Sequence, residues 1–216
     1  MTSLEALKQR YRSSRDGEDE PLPIRIHRAV SWLVRAEQEA NDPDAQFLFL
    51  WIALNAAYAS EFGFERSERE QGNEFVRKLL ALDTAGRLQS ALFQQFSGPI
   101  RTLIENRFVF EPFWKAARDH DSSGTWETRF AASKMSALLA VMEKRTDVVL
   151  SIVLDRLYTL RNQIVHGGST WNGSANRAQL KDAVLIMQTI TPIIVELMME
   201  QGAETFGPVA YPYLPG

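Results

Sequence analysis

The sequence predicts an all-α fold. Apolar residues recur three and four positions apart along most of the chain, and no window alternates in the manner of a half-buried strand. Capping residues and Gly or Pro punctuate these runs at helix-like intervals.

The elements follow in order. Thr2-Ser3-Leu4-Glu5 has capping-box form and opens a short first helix. The acidic, proline-containing stretch 16–23 reads as a loop, and a second helix is expected over 24–40. Asp42-Pro43 is a helix start, with Asp42 as cap and Pro43 at the first helical position. The third helix then runs to about 62, with Phe47, Leu50, Trp51, Leu54 and Tyr58 on one stripe. Ser67 with Glu70 opens a fourth helix carrying Phe75, Leu79 and Leu82. Residues 86–120 read as helical but interrupted at Gly98-Pro99 and Pro112, and 121–124 as a turn. Helices are expected over 125–144 and 147–166, the latter capped by Thr146 and ended by Gly167-Gly168. After the polar loop 169–174, Asn176 and Gln179 open a last helix to about 201, which Pro192 should kink. The tail 203–216, with Pro208, Pro212 and Pro215, reads as coil.

A length of 216 residues suits one domain, or one domain with a large insertion, and 45% hydrophobic content supplies a core without metal or disulfide. No cysteine is present, which excludes thiol nucleophiles and thiolate metal sites and fits a reducing, cytoplasmic setting. A net charge of −3 creates no general attraction to nucleic acid, so any such binding needs a local basic patch. The N-terminus has no apolar signal region. The apolar run 183–199 contains Gln188, Thr189, Thr191, Pro192 and Glu196 and falls short of the ~20 apolar residues of a membrane span. It reads as a buried or interface helix, with no membrane partner expected.

The concentrated chemistry lies in Arg161-Asn162-Gln163-Ile164-Val165-His166-Gly167. Leu150, Val153, Leu157, Leu160 and Ile164 mark the core face of its helix. Arg161 falls roughly 40° from Leu157, at the edge of that stripe, where a half-desolvated guanidinium needs an anion, a carboxylate or carbonyls. His166 on a straight helix would point about 140° away from Arg161. The two share a site only if the helix unwinds near His166 or a second chain completes it.

This segment resembles the signature of HEPN domains (higher eukaryotes and prokaryotes nucleotide-binding): an arginine, a following polar residue and a histidine at the end of a long helix. Arg161, Asn162 and His166 fill those places. The run from Phe47 to Tyr58 is similar to the apolar helix beside the motif helix in that family, and Asn55 matches the polar residue it contributes. The resemblance covers 24–62 and 125–201 and implies a HEPN-like antiparallel helical bundle, with 65–124 as a helical insertion. It implies a metal-independent endoribonuclease, a toxin or defence effector, working as a homodimer and answering to an antitoxin or other regulatory protein. It equally admits a non-catalytic module that binds a nucleotide, RNA or a protein.

The catalytic reading suits these residues. Cleavage of RNA through its own 2′-hydroxyl needs a proton acceptor, a proton donor and a cation at the phosphorane. Histidine exchanges protons near neutral pH, and arginine offers a fixed fork to phosphate oxygens. No metal or other cofactor is needed, and His27, His120 and His166 are too scattered to suggest a metal site. One candidate imidazole per chain also favours a two-fold dimer that pools two. Arg156, Arg177 and Lys181 are the candidate RNA-binding residues near the motif, and a second basic region holds Lys8, Arg10, Arg12, Arg15, Arg25, His27, Arg28 and Arg35.

Plainer readings stand beside these. Arg161 could pair with Asp155 or Glu143, and His166 could simply sit at a helix C-terminus favoured by the dipole. Asn55 could bond one helix to another, Asn162 could be an ordinary exposed residue, and the basic region could be a solvated face. The aromatic group Phe108, Phe110, Phe113, Trp114, Trp126 and Phe130 reads as core rather than a base-stacking surface.

Overall fold

The computed structural model describes residues 4–16, 24–58, 68–95, 97–175, 177–201, 206–209 and 211–212. Ten α-helices and no strand are found among them, so the fold is all-α. The capping residues Thr2, Ser3 and Ser67, most of the 16–23 loop, the expected end of the third helix near 62, and Asn176 lie outside the described residues. The chain forms two compact units, 1–87 with 187–216, and 88–186. The stretch 65–124 is therefore shared between them.

In the first unit, α1 (Leu4–Asp16) packs on α2 (Ile24–Gln38), and α2 packs along α3 (Pro43–Tyr58). The α2 stripe of Ile26, Ala29, Val30, Leu33 and Ala36 is buried. The Asp42 carboxylate accepts from the amides of Asp44 (3.0 Å) and Ala45 (3.1 Å), so the expected cap forms just ahead of Pro43. Phe47, Leu50, Trp51 and Leu54 are buried, each large side chain contributing about 1.5–3 kcal/mol. The one buried amide near this start, Gln46, donates to the Ala36 carbonyl at 3.1 Å.

Helix α4 (Glu68–Leu82) buries Phe75, Val76 and Leu79. The tail is anchored: Phe206 is buried with its ring 5.6 Å from that of Phe75. Arg25, 1% exposed, donates to the carbonyls of Ala57 (3.0 Å) and Gly207 (2.6 Å), and Arg28 donates to that of Tyr211 (2.6 Å). Desolvation holds the Arg25 guanidinium below its usual pKa.

The second unit begins at Leu88, within a short helix α5 (Arg87–Ser90) that runs into a π-helical segment (Ala91–Gln95). Gly98-Pro99 falls in the first turn of α6 (Ser97–Glu105), and Pro112 in that of α7 (Glu111–Arg118). Both expected interruptions are thus helix starts, where a missing N–H costs nothing. Helices α8 (Thr125–Met142) and α9 (Thr146–Val165) form an antiparallel hairpin. Its turn places Lys144 at φ 52°. Thr146 is the first helical residue rather than the cap; that position is Arg145, which makes no side-chain cap bond.

The last helix, α10 (Arg177–Gln201), starts in the second unit and ends in the first, with Pro192 inside it. It is long and apolar enough to cross a membrane by length and composition, and 72% of that apolar window is buried inside the protein.

Candidate functional site

Helix α9 carries the motif, and its core face is as the spacing predicts. Leu150, Val153, Leu157 and Leu160 are at most 2% exposed, while Ile164 is half-buried as the helix runs out of the core. The helix stops at Val165. Gly167 lies at φ 71°, its amide bonds the Ile164 carbonyl at 3.2 Å, and the Gly168 amide bonds the Gln163 carbonyl at 2.6 Å. This pair of bonds around a left-handed residue is the Schellman ending, and it requires glycine's freedom at Gly167. A Cβ at Gly168 would meet the Gln163 carbonyl oxygen at 3.1 Å, so the chain turns away closely.

His166 is the C-cap residue, with ψ 15°, and its side chain is exposed. The His166 amide still bonds the Asn162 carbonyl at 3.0 Å, so the helical ladder runs up to the histidine and the chain turns away at Gly167. Arg161 is half-buried one turn earlier, and its Nη1 donates to the Asn162 side-chain oxygen at 2.9 Å. Neither Asp155 nor Glu143 pairs with it. An amide neutralises no charge, so the guanidinium keeps its positive charge and most of its five donors for another acceptor. No hydrogen bond joins Arg161 to His166 within one chain.

Arg156 corrects the sequence reading. It is 1% exposed and faces no groove. Its guanidinium lies 4.5 Å from the Phe110 ring centre and 5.8 Å from that of Phe130, and donates to Ser133 Oγ (3.2 Å) and the Val109 carbonyl (3.5 Å). At position 156 the helix points into the unit, so the cation is held by π-faces and neutral acceptors.

The basic region near the N-terminus is corrected likewise. Lys8 pairs with Glu37 (2.7 Å), Arg10 with Glu200 (2.9 Å) and Arg35 with Glu39, while Arg25 is buried and His27 is bonded to Tyr11. Three of its cations are thus paired with carboxylates and Arg25 is enclosed, while Arg12 is exposed. Asn55 is half-buried on α3 and belongs to the first unit, whereas Arg161, Asn162 and His166 belong to the second.

The aromatic group is a mutual cluster. Phe113 meets Phe108, Trp114 and Trp126 edge-on with centres 5.0–5.3 Å apart, and Phe110 packs on Phe130 at 5.2 Å. The Phe108 carbonyl accepts from Trp114 Nε1 (2.8 Å) and from the Gln163 side-chain amide, which ties the cluster to the motif helix.

Arg177 and Lys181 remain beside the motif, and two features stand out. From 156 to 181 the chain has four Lys or Arg, one of them the buried Arg156, and no Asp or Glu, in a protein of net charge −3. This local excess is visible by counting charges in a window rather than over the whole chain. Arg177 lies at the start of α10, with Nε 2.9 Å from the Gly173 carbonyl, and Lys181 is exposed one turn on. The second feature is Trp171, 75% exposed in a loop read only as polar.

A shallow apolar cleft lined by Leu92, Ile100, Ile104, Leu138 and Val141 includes no motif residue. Comparison with protein-family models, curated proteins and solved structures gives no match.

Proposed function

We propose that the protein is a metal-independent endoribonuclease of HEPN type, a cytoplasmic toxin or defence effector that cleaves RNA at a composite site in a homodimer. The observation that carries this reading is the ending of α9. An exposed imidazole sits at the C-cap of α9, five residues after an arginine whose side-chain bond among the described residues is to Asn162, within a stretch free of carboxylates. Such a place suits a phosphodiester.

In the proposed reaction the 2′-oxygen attacks the adjacent phosphorus. The 2′-O–P bond forms and the P–O5′ bond breaks. His166 accepts the 2′-hydroxyl proton, and the imidazolium form of His166 from the second copy returns a proton to the leaving 5′-oxygen. Arg161 grips the non-bridging oxygens as charge builds on them, with Asn162 fixing its fork. Lys181 and Arg177 steer the flanking phosphates. The products are a 2′,3′-cyclic phosphate and a 5′-hydroxyl. An antitoxin or regulatory protein would restrain this activity in the cell.

The test is incubation of the purified protein with RNA in EDTA. Cleavage leaving cyclic phosphate ends is expected, falling at least about 100-fold in Arg161→Ala and His166→Ala. No cleavage, or equal cleavage by the variants, overturns the reading.

The lack of any bond between Arg161 and His166 within a chain supports a second reading, a non-catalytic module that binds RNA, a nucleotide or a protein. Saturable binding that survives His166→Ala, without turnover, would identify it.

A further inference from the structure

Helix α8 turns a row of apolar side chains outward. Thr128, Ala132, Met135, Leu139 and Met142 are all exposed, with Met135 at 60%, Leu139 at 48% and Met142 at 79%. They fall within an arc of about 80° of the helix surface, and no charged residue of α8 lies inside that arc. The Thr128 hydroxyl donates to the Gly124 carbonyl (3.3 Å), so its polar atom is used locally. On the other side of the helix Ala137 and Ala140 are buried, so α8 already has a core face and this row is additional to it. A lone exposed apolar side chain needs no explanation, whereas a contiguous row marks an interaction surface.

The spacing points to the occupant. The intervals are four, three, four and three, the 3.5-residue repeat by which one helix packs along another. Such a row is complementary to itself. Laid antiparallel about a two-fold axis level with Ala137, Ala132 meets Met142 of the second copy and Met135 meets Leu139 of the second copy, and each layer occurs twice. Small faces large in the outer layers, so side-chain volume balances across the seam.

Charge sets the direction. Arg129 and Glu143 lie on the same flank of the row, at its two ends. Both are exposed, and neither has an ion-pair partner among the described residues. Antiparallel pairing puts Arg129 beside Glu143 of the second copy, twice. Parallel pairing puts neither beside an opposite charge. From Thr128 to Met142 the seam is about 21 Å long. Its area falls short of the ~1,200 Å² of a standard interface, so the pairing is weak and concentration-dependent.

We infer that α8 pairs antiparallel with α8 of a second copy through the row from Ala132 to Met142. This contact does not build the composite site. Helix α9 runs back from the α8–α9 turn, so the motif lies at the end of the hairpin away from Met142, and the pair directs its two motifs to opposite ends. The inference stands without the ribonuclease reading, and a protein that also forms the composite site uses a different face for it.

The test is sedimentation equilibrium of the full-length protein from about 1 to 100 μM, where dimers should form with a dissociation constant on the order of 10 μM. Leu139→Arg drives a charge into both central layers and should weaken pairing at least about 10-fold. Melting of the dilute variant should match the parent, because the side chain replaced is exposed. Arg129→Glu and Glu143→Arg should each weaken pairing roughly 5-fold, and the two together should restore it. His166→Ala should leave it unchanged.

A monomer throughout that range overturns the inference, including one whose α8 row instead binds lipid vesicles or an added amphipathic peptide. A dimer indifferent to Leu139→Arg, or a double charge reversal that restores nothing, overturns it as well. RNA cleavage in EDTA is read separately. Cleavage by a protein that shows no α8 pairing leaves the ribonuclease reading standing, and α8 pairing without cleavage leaves this one.

Discussion

Arg156 and Arg161 sit five positions apart on the same helix, and they meet opposite fates. Arg156, in the body of α9, is 1% exposed between two phenyl rings and donates to a hydroxyl and a carbonyl. Arg161, near the end, is half-buried and donates to a neighbouring amide. Five residues turn a helix through about 140°, which is enough to carry one guanidinium into the unit and leave the other at its edge. Burial closes Arg156 off from any ligand, whereas Arg161 at the edge is open to one.

The sharpest way to break this contrast is stability. Arg156→Ala should lower the unfolding free energy by about 3 kcal/mol, since it empties a packed site and leaves Ser133 and the rings without their partner. Arg161→Ala should change it by less than about 1 kcal/mol. Urea denaturation of the two variants checks this, and equal losses would mean that Arg161 is structural too.

The helix ending sharpens the contrast further. Gly167→Ala forces a Cβ into a left-handed residue and should cost about 1 kcal/mol. The α8–α9 turn has the same geometry with Lys144 at φ 52°, so Lys144→Gly should stabilise by about 0.5–1 kcal/mol in the same assay. Results of the same sign would show that φ does not govern these ends. The EDTA cleavage assay on Gly167→Ala then reports whether the ending matters to His166; activity should fall more than stability.

A third arginine extends the comparison to the first unit. Arg87 grips Glu200 through both nitrogens (2.6 and 3.2 Å), with Glu196 at 3.5 Å and Arg10 on the far side. The Arg87 hydrogen bond holds the Glu200 carboxyl below the usual carboxylate range, against an opposing contribution from burial. Because the folded pKa is the lower one, this stabilisation is present above the carboxylate range and disappears as acid protonates Glu200. Its side chain is 30% exposed, so solvent screening reduces the effect to about 0.5–1 kcal/mol. Glu200→Gln should be less stable by that amount at neutral pH, and the gap should close as acid protonates Glu200 in the folded protein. A gap that persists in acid would assign the effect to packing.

Much of the fold was legible because local rules acted alone. The Asp42 cap, the Gly167 ending and the buried stripes of α3 and α9 need only spacing and backbone chemistry. Thr146 misled because a good capping residue was carried one position into the helix. Arg156 misled because proximity in sequence to the motif was taken as proximity on a surface. The N-terminal basic region misled because its acidic partners are scattered: Glu37 is 29 positions from Lys8, and Glu200 is 190 from Arg10. Trp171 was passed over because a polar loop hides how far one indole protrudes.

Sequence by itself determined that the chain is helical, where most helices begin and end, and that Arg161, Asn162 and His166 close α9. Those properties depend on residues a few positions apart. Tertiary structure alone decided which cations are buried, which are paired and which aromatic ring faces water. Burial and pairing depend on groups brought together from distant positions, and a side chain's chemistry is set by what surrounds it.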